Sequence, residues 1–184
     1  MKILLSGGCK SGKSYHAQRL AKAQARQGGA LYYVATMKSA DGEDDERIAR
    51  HRREREGWGF VTVERPADIG GILESCDPGG SFLLDSLTAL LANEMFPRQG
   101  FVDHGAAATI IAGLTRVLKE ADDVVLVSDF IYSDAAFYDP LTEAYRKSLA
   151  EIDRAAAELC GAVLEAAFGS IIAHKGKAAY EAIL

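Results

Sequence analysis

The sequence predicts an α/β fold, a mostly parallel sheet with helices on both faces, and three observations support this. Short apolar runs that are typical of buried strands alternate with longer helical segments. The first run, Ile3-Leu4-Leu5, is followed directly by residues 7–14, which read GGCKSGKS. This octapeptide has the form G-x-x-x-x-G-K-[ST], a phosphate-binding loop that connects a strand to a helix. The helix is predicted from Lys13 to Gln27, where Gly28-Gly29 stops it.

The rest of the chain keeps the same alternation. Further strands are predicted at residues 30–35, 60–64, 81–85 and 124–128, with a closing pair at 162–167 and 170–173. Helices are predicted from Pro66 toward Cys76, over 86–96, within 102–120 and from 140 to about 158. Because the chain has no repeat and no low-complexity linker, we expect one domain over residues 1–184.

Composition narrows the function classes. Hydrophobic residues make up 48% of the 184 residues, enough for a sizeable core, and the net charge of −5 does not favour nucleic-acid binding. No stretch approaches the ~20 apolar residues of a membrane span. Because the predicted first strand follows Met1 directly, we expect no signal peptide. The three widely spaced cysteines predict reduced thiols, so we expect a cytoplasmic protein.

Residues 7–14 predict that the chain binds the phosphates of a nucleoside triphosphate. In such loops consecutive backbone N–H groups hold phosphate oxygens, and the positive end of the following helix adds to the attraction. Lys13 is expected to reach the β- and γ-phosphates of a nucleoside triphosphate, and Ser14 to ligate Mg²⁺. We assign the whole loop to nucleotide binding: Gly7, Gly8, Cys9, Lys10, Ser11, Gly12, Lys13 and Ser14.

An acidic residue, Asp85, ends the apolar strand predicted at 81–85. Enzymes with this kind of loop place at such a position the acid that holds Mg²⁺, directly or through water. The alternative is an acid that caps the next helix. Because the loop is present, we expect Asp85 to lie at the nucleotide and to share Mg²⁺ with Ser14.

A charged segment, residues 42–57, lies between the second and third strands and contains a histidine among arginines. If this segment is helical, Arg47, His51 and Arg55 fall at i, i+4 and i+8, on roughly one face. Two neighbouring guanidiniums would lower the pKa of the histidine, and a neutral imidazole is a nucleophile. Arginines also bind phosphate oxygens, so the arrangement suits attack of His51 on an α-phosphate. The alternative is a solvated charged helix, which most such runs form.

Several segments go beyond a generic pattern. Residues 7–17 read G-G-x-x-S-G-K-S-x-x-A, residues 33–36 read YVAT, and residues 83–88 read LLDSLT. Arg47-Ile48 and His51 are followed by the spaced residues Arg55, Trp58, Thr62, Glu64 and Pro66. Together these segments resemble the adenosylcobinamide kinase/adenosylcobinamide-phosphate guanylyltransferase family. The resemblance is strong over residues 1–97, and the run around His51 is far more specific than the phosphate loop.

The resemblance implies two reactions of cobalamin biosynthesis. A nucleoside triphosphate, ATP or GTP, phosphorylates the aminopropanol hydroxyl of adenosylcobinamide, and GTP then guanylylates the product with release of pyrophosphate. In the family the second step passes through a GMP–histidine, and the matching residue is His51. Arg47, Arg55, Glu64 and Asp85 are assigned to the nucleotide as well. The family further implies a RecA-like P-loop fold and a homotrimer with sites near subunit boundaries.

Two later segments depart from the family's pattern. Where the family usually carries T-N-E-V-G-x-G-x-V-P, this chain has Ser128 to Asp134, and Ile152 to Ala157 replaces an Asn-Gln segment. Because of these departures, the resemblance does not determine whether the chain keeps the kinase reaction or which acceptor it uses. Two alternatives therefore stay open: a P-loop kinase of another small molecule, and a nucleotide-binding regulatory protein that has lost its acceptor site.

Overall fold

The structure is a computed structural model that describes residues 1–39, 42, 46, 48–49, 52–53 and 55–183. Its strands are β1 (Lys2–Gly7), β2 (Leu31–Ala35), β3 (Val61–Glu64), β4 (Ser81–Asp85), β5 (Asp123–Asp129), β6 (Ala162–Ala167) and β7 (Ser170–Lys175). Its helices are α1 (Lys13–Gln24), α2 (Leu87–Met95), α3 (Ala106–Glu120), α4 (Pro140–Leu159) and α5 (Lys177–Glu181), with a 3-10 helix at Ile69–Glu74. The described residues among 42–53 are helical as well.

The strands form a sheet of seven in the order β3-β2-β4-β5-β1-β6-β7. All pairs are parallel except β6 and β7, which form an antiparallel hairpin. The predicted mostly parallel sheet is confirmed. Because β1 lies between β5 and β6, the phosphate loop at its carboxyl end is flanked by the ends of two strands that are distant in sequence.

The sheet is covered on both faces, as predicted. Successive side chains of a strand point to opposite faces. On one face, Ile3 and Leu5 of β1 pack in a buried cluster with Leu20 of α1. On the other, Leu4 packs in a second cluster that includes Ile152 of α4. Burial on both faces explains why the strands read as continuous apolar runs instead of alternating ones.

The helix predicted from Pro66 toward Cys76 is wrong in type and length, since only a 3-10 helix at Ile69–Glu74 forms. Asp68 before it has a left-handed backbone, with φ 52°. Gly70 and Gly71 follow, and glycine is a poor helix former. A Cβ on Gly113 of α3 would lie 2.9 Å from Ile69 Cγ2, so this segment packs too closely on α3 for larger residues.

The ends of the longer helices have identifiable causes. Ser86 caps α2 by accepting a hydrogen bond from the N–H of Ala89, and Asp139 caps α4 by accepting from Leu141 and Thr142. Pro140 occupies the first turn of α4, where no N–H is needed. None of the helices in the described part of the chain combines the length and apolarity that crossing a bilayer requires.

Candidate functional site

The phosphate loop joins β1 to α1, as its sequence predicts. Gly12, immediately before α1, has φ 83°, a left-handed conformation that glycine adopts without strain. Gly7 is required for a different reason: a Cβ there would lie 2.7 Å from the carbonyl oxygen of Ala166 on β6. The N-terminus of α1, a helix of 12 residues, therefore faces the loop and provides the N–H groups of an anion site.

Lys13 is buried, and its ammonium is held by two acceptors. Nζ donates to the carbonyl oxygen of Gly8 at 3.1 Å and lies 2.6 Å from Oδ1 of Asp129. Asp129 is the last residue of β5, the strand next to β1. Sequence reasoning missed Asp129 as a site residue. The signal was present, because Asp129 ends an apolar strand in the same way as Asp85.

Asp85 lies at the end of β4, separated from β1 by β5. Its Oδ2 accepts a hydrogen bond from the Tyr33 hydroxyl at 2.9 Å. Asp85 and Ser14, the two predicted Mg²⁺ ligands, line the same cleft, which has a volume of 1430 Å³. The cleft thus brings together the carboxyl ends of β2, β4 and β5 with the phosphate loop, the edge at which parallel sheets bind ligands.

Arg55 lies in a turn and not on a helix, so the helical spacing expected from Arg47 through His51 does not extend to it. Its side chain is buried, and Cζ lies 3.4 Å from the centroid of the Tyr33 ring. When a guanidinium stacks on an aromatic ring, its N–H groups lie in the guanidinium plane, parallel to the ring. They can therefore still donate hydrogen bonds to groups beside the ring. Arg55 is a lining residue of the cleft.

Arg47 and His51 lie outside the described residues. Their described neighbours in sequence, Ile48, Ala49 and Arg52, line the cleft. The described part of the charged segment therefore borders the same space as the phosphate loop.

Glu64 lies at the end of β3, the edge strand, and lines the cleft at its rim. Its carboxylate pairs with Arg52 at 2.7 Å, and both side chains are largely exposed. This pair connects the edge of the sheet to the charged segment. Exposed pairs of this kind contribute little to stability, so the contact orients the two side chains more than it stabilises the fold.

Two residues, Thr36 of the matched segment 33–36 and Asn93 of α2, have a positioning role that the sequence analysis did not assign. Thr36 Oγ1 donates to the carbonyl oxygen of Ser86 at 2.8 Å and accepts from the Ser86 N–H at 2.7 Å. The Asn93 amide donates to the carbonyl oxygens of Thr36 and Pro66. These bonds fix the chain after β2 and β4, and so the position of Asp85 next to Ser86.

The segment that departs from the family's pattern is held by Arg146 of α4. Its Nε donates to the carbonyl oxygen of Ile131 at 3.0 Å, and its other nitrogens pair with Asp134 at 2.9 Å and Glu143 at 2.5 Å. The guanidinium is also 4.5 Å from the ring centroid of Tyr138. Through these contacts Arg146 fixes the segment that departs from the family's pattern against α4.

Asp153 of α4 is a buried carboxyl group that contacts the same departing segment. Asp153 Oδ2 accepts hydrogen bonds from the Ser128 and Tyr132 hydroxyls, each at 2.9 Å, and Oδ1 has no hydrogen-bond partner. Burial is the main cause that raises the pKa of Asp153 to about 6, and the charge of Asp129 adds to it, against the two hydrogen bonds. Asp153 does not line the cleft and is a structural group.

Three curated proteins are similar to this chain, including the following two. The bifunctional adenosylcobalamin biosynthesis protein CobP of Pseudomonas aeruginosa is 42% identical over 94 residues, which are 50% of this chain and 52% of the relative. The corresponding CobU of Escherichia coli is 34% identical over 105 residues, 56% of this chain and 55% of the relative. The chain therefore spans about half the length of the curated relatives it matches.

A solved structure shows the fold. The KaiC-like protein from Pyrococcus horikoshii OT3 superposes with a TM-score of 0.52 at 14% identity, over 95% of this chain and 78% of that one. This similarity confirms the predicted α/β fold. A family model described as cobinamide kinase / cobinamide phosphate guanyltransferase matches residues 3–173. Since that match takes in the phosphate loop, the charged segment and every strand of the parallel part of the sheet, the chain belongs to the cobinamide kinase / cobinamide phosphate guanyltransferase family.

Proposed function

We propose that this chain phosphorylates adenosylcobinamide and transfers GMP from GTP to adenosylcobinamide phosphate through a GMP–histidine at His51. The observation that carries the proposal is the shared cleft. The phosphate loop, Asp85 and described residues on both sides of His51 in sequence all line it. A single nucleotide held by its phosphates in this cleft would lie beside the charged segment.

In the kinase reaction, the oxygen of the acceptor hydroxyl attacks the γ-phosphorus of the triphosphate. The bond from that phosphorus to the bridging oxygen breaks, the nucleoside diphosphate leaves, and the hydroxyl proton is released. The protein contributes position and charge more than covalent chemistry. Lys13 and the loop N–H groups are assigned to the negative charge that develops on the leaving phosphates.

In the guanylyl transfer, an imidazole nitrogen of His51 attacks the α-phosphorus of GTP. The bond to the β-phosphate oxygen breaks and pyrophosphate leaves, with its charge neutralised by Lys13. A phosphate oxygen of adenosylcobinamide phosphate then attacks the same phosphorus, the P–N bond breaks, and His51 is regenerated as adenosylcobinamide-GDP forms. Arg47, Arg55 and Glu64 are proposed to bind the nucleotide during these steps.

Magnesium is the metal that the cleft suits. Ser14 and Asp85 offer a hydroxyl and a carboxylate, and Mg²⁺ prefers such hard oxygen donors, with one or two carboxylates and the substrate phosphates completing its shell. Bound there, Mg²⁺ would neutralise part of the phosphate charge. We assign Ser14 and Asp85 as its protein ligands.

We also propose that residues 1–184 act as one nucleotide-binding domain in a cytoplasmic homotrimer. The trimer is proposed on the family resemblance alone. The cytoplasmic assignment is supported by the cysteines, which are free thiols. Burial raises the pKa of the Cys160 thiol to about 12, so that this group is unreactive.

The test is retention of label from α-labelled GTP on the protein. A phosphoramidate is stable in alkali and labile in acid, so the wild type should keep label through alkali and lose it in acid. His51→Ala should take up no label while binding GTP nearly as well, and His104→Ala, which changes an exposed histidine outside the cleft, should label like the wild type. Label on His51→Ala, or none on a wild type that binds GTP, contradicts the proposal and leaves the two alternative functions.

A further inference from the structure

The ammonium that should bind phosphate is already neutralised within the chain. Lys13 Nζ lies 2.6 Å from Asp129 Oδ1, a distance typical of a charge-assisted hydrogen bond. The Lys13 side chain is 9% exposed and that of Asp129 is 23% exposed. The pair is therefore partly withdrawn from water, and Asp129 is open to the cleft that it lines.

A polyphosphate in the loop would meet this carboxylate at close range. The ammonium of Lys13 can stay at the loop, because its bond to Gly8 uses a carbonyl oxygen of the loop itself. An anion that binds the same ammonium must come within a few ångströms of Asp129. Two negative charges at that separation repel each other appreciably in a partly solvated site.

The rest of Asp129 is held independently of its carboxylate. Its N–H donates to Thr88 Oγ1 at 3.1 Å, and its main chain pairs with Gly7 of β1. The next residue, Phe130, donates its N–H to the carbonyl oxygen of Gly7 at 3.1 Å. The side chain can therefore be changed to an uncharged amide without removing the bonds that fix the end of β5 beside the loop.

We propose that Asp129 pairs with the Lys13 ammonium and competes with the incoming polyphosphate for it. This pairing weakens the affinity for triphosphate. This inference rests on the proposed binding of a nucleoside triphosphate and is independent of the acceptor and of His51. No covalent step is involved.

The experiment is calorimetric titration of the full chain with inorganic tripolyphosphate and with GTP, each with and without Mg²⁺. Asp129→Asn should bind both anions about five- to tenfold more tightly than the wild type, as expected when one like charge is removed a few ångströms away. The gain should be larger without Mg²⁺, because the metal offsets part of the phosphate charge. Asp129→Glu keeps the charge and should bind like the wild type.

Asp122→Asn is the matched control, because it removes the same charge next to the opposite end of β5, where Asp122 pairs with Arg26. It should leave both affinities unchanged. If Asp129→Asn does not fold, as judged by its unfolding transition, Asp129→Ser tests the same loss of charge. Unchanged or weaker binding by the uncharged variants overturns the inference, and binding of Mg-GTP that is specifically weakened would make Asp129 a metal ligand instead.

The outcome separates this inference from the proposed function. A wild type that binds GTP and labels at His51, with no gain in Asp129→Asn, refutes only the competition. A gain in Asp129→Asn without any labelling at His51 supports the competition and contradicts the guanylyl transfer. Absence of binding by every variant contradicts both.

Discussion

The Tyr33 hydroxyl donates a hydrogen bond to the Asp85 carboxylate over 2.9 Å. Tyr33 lies on β2 and Asp85 ends β4, which pairs directly with β2. The face of the same tyrosine ring carries the guanidinium of Arg55. One aromatic side chain thus connects the acid assigned to the metal with the turn at the end of the charged segment, and it fixes which way one carboxylate oxygen of Asp85 points.

We predict that Tyr33→Phe raises the Mg²⁺ concentration that the protein requires, while the ring contact with Arg55 stays in place. Loss of one hydrogen bond should lower the free energy of unfolding by about 1 kcal/mol. The Mg²⁺ concentration for half-maximal labelling by GTP should rise several-fold, because Asp85 is no longer oriented. Tyr32→Phe is the control, since it removes a hydroxyl that accepts a hydrogen bond from the Asp77 N–H and does not line the cleft. An equal Mg²⁺ requirement in both variants would contradict the role of Tyr33.

Removal of the loop ammonium should abolish most activity. Lys13→Ala takes away the main cation assigned to the leaving phosphates, and turnover should fall by about 10²-fold or more, the loss typical of a single electrostatic donor. Steady-state rates with GTP and affinity measured by titration check this. Lys119→Ala, on the exposed side of α3, should match the wild type. Normal turnover by Lys13→Ala would contradict the assignment of the phosphate loop.

The sequence was sufficient to predict the sheet and the loop. A parallel strand buried on both faces produces an apolar run that is easy to locate, and every predicted strand is present. The phosphate loop has fixed residues because its backbone requires them, as the left-handed conformation of Gly12 shows. Local chemistry determines both features, so they can be read without knowing the tertiary structure.

Features that depend on strand order could not be predicted in the same way. The pairing of Lys13 with Asp129 exists because β5 lies next to β1, although the two strands are far apart in sequence. Asp85 was predicted because it ends an apolar strand downstream of the loop, and the sequence does not show that β5 lies between that strand and β1. The turn at Arg55 was missed for a related reason: stacking on Tyr33 is a tertiary contact that helical periodicity does not report.

Arg146 should be important for stability because its buried guanidinium has several partners at once. Arg146→Ala should lower the free energy of unfolding by about 2–4 kcal/mol, since it removes the donor to the Ile131 carbonyl and the cation that pairs with Asp134 and Glu143. Arg116→Ala is the control: this exposed arginine pairs with Glu120 at 3.2 Å, and its loss should cost less than ~0.5 kcal/mol. Denaturant unfolding measures both, and equal losses would contradict the role of Arg146.

Asp153 should make stability depend on pH in a direction opposite to that of most carboxylates. Its pKa rises from the usual 3.8 to about 6, chiefly because the group is buried. Between these values the folded chain binds a proton that the unfolded chain has released, so its contribution to stability is present below about pH 4 and is lost as the pH rises to about 6. Ionisation should cost roughly 3 kcal/mol at pH 7. Asp153→Asn should therefore gain about that much relative to the wild type between pH 4 and pH 7, above a constant offset from its unpaired amide N–H₂. Denaturant unfolding at a series of pH values measures the stability difference between Asp153→Asn and the wild type. A difference that stays constant over this range would mean that folding does not raise the pKa of Asp153.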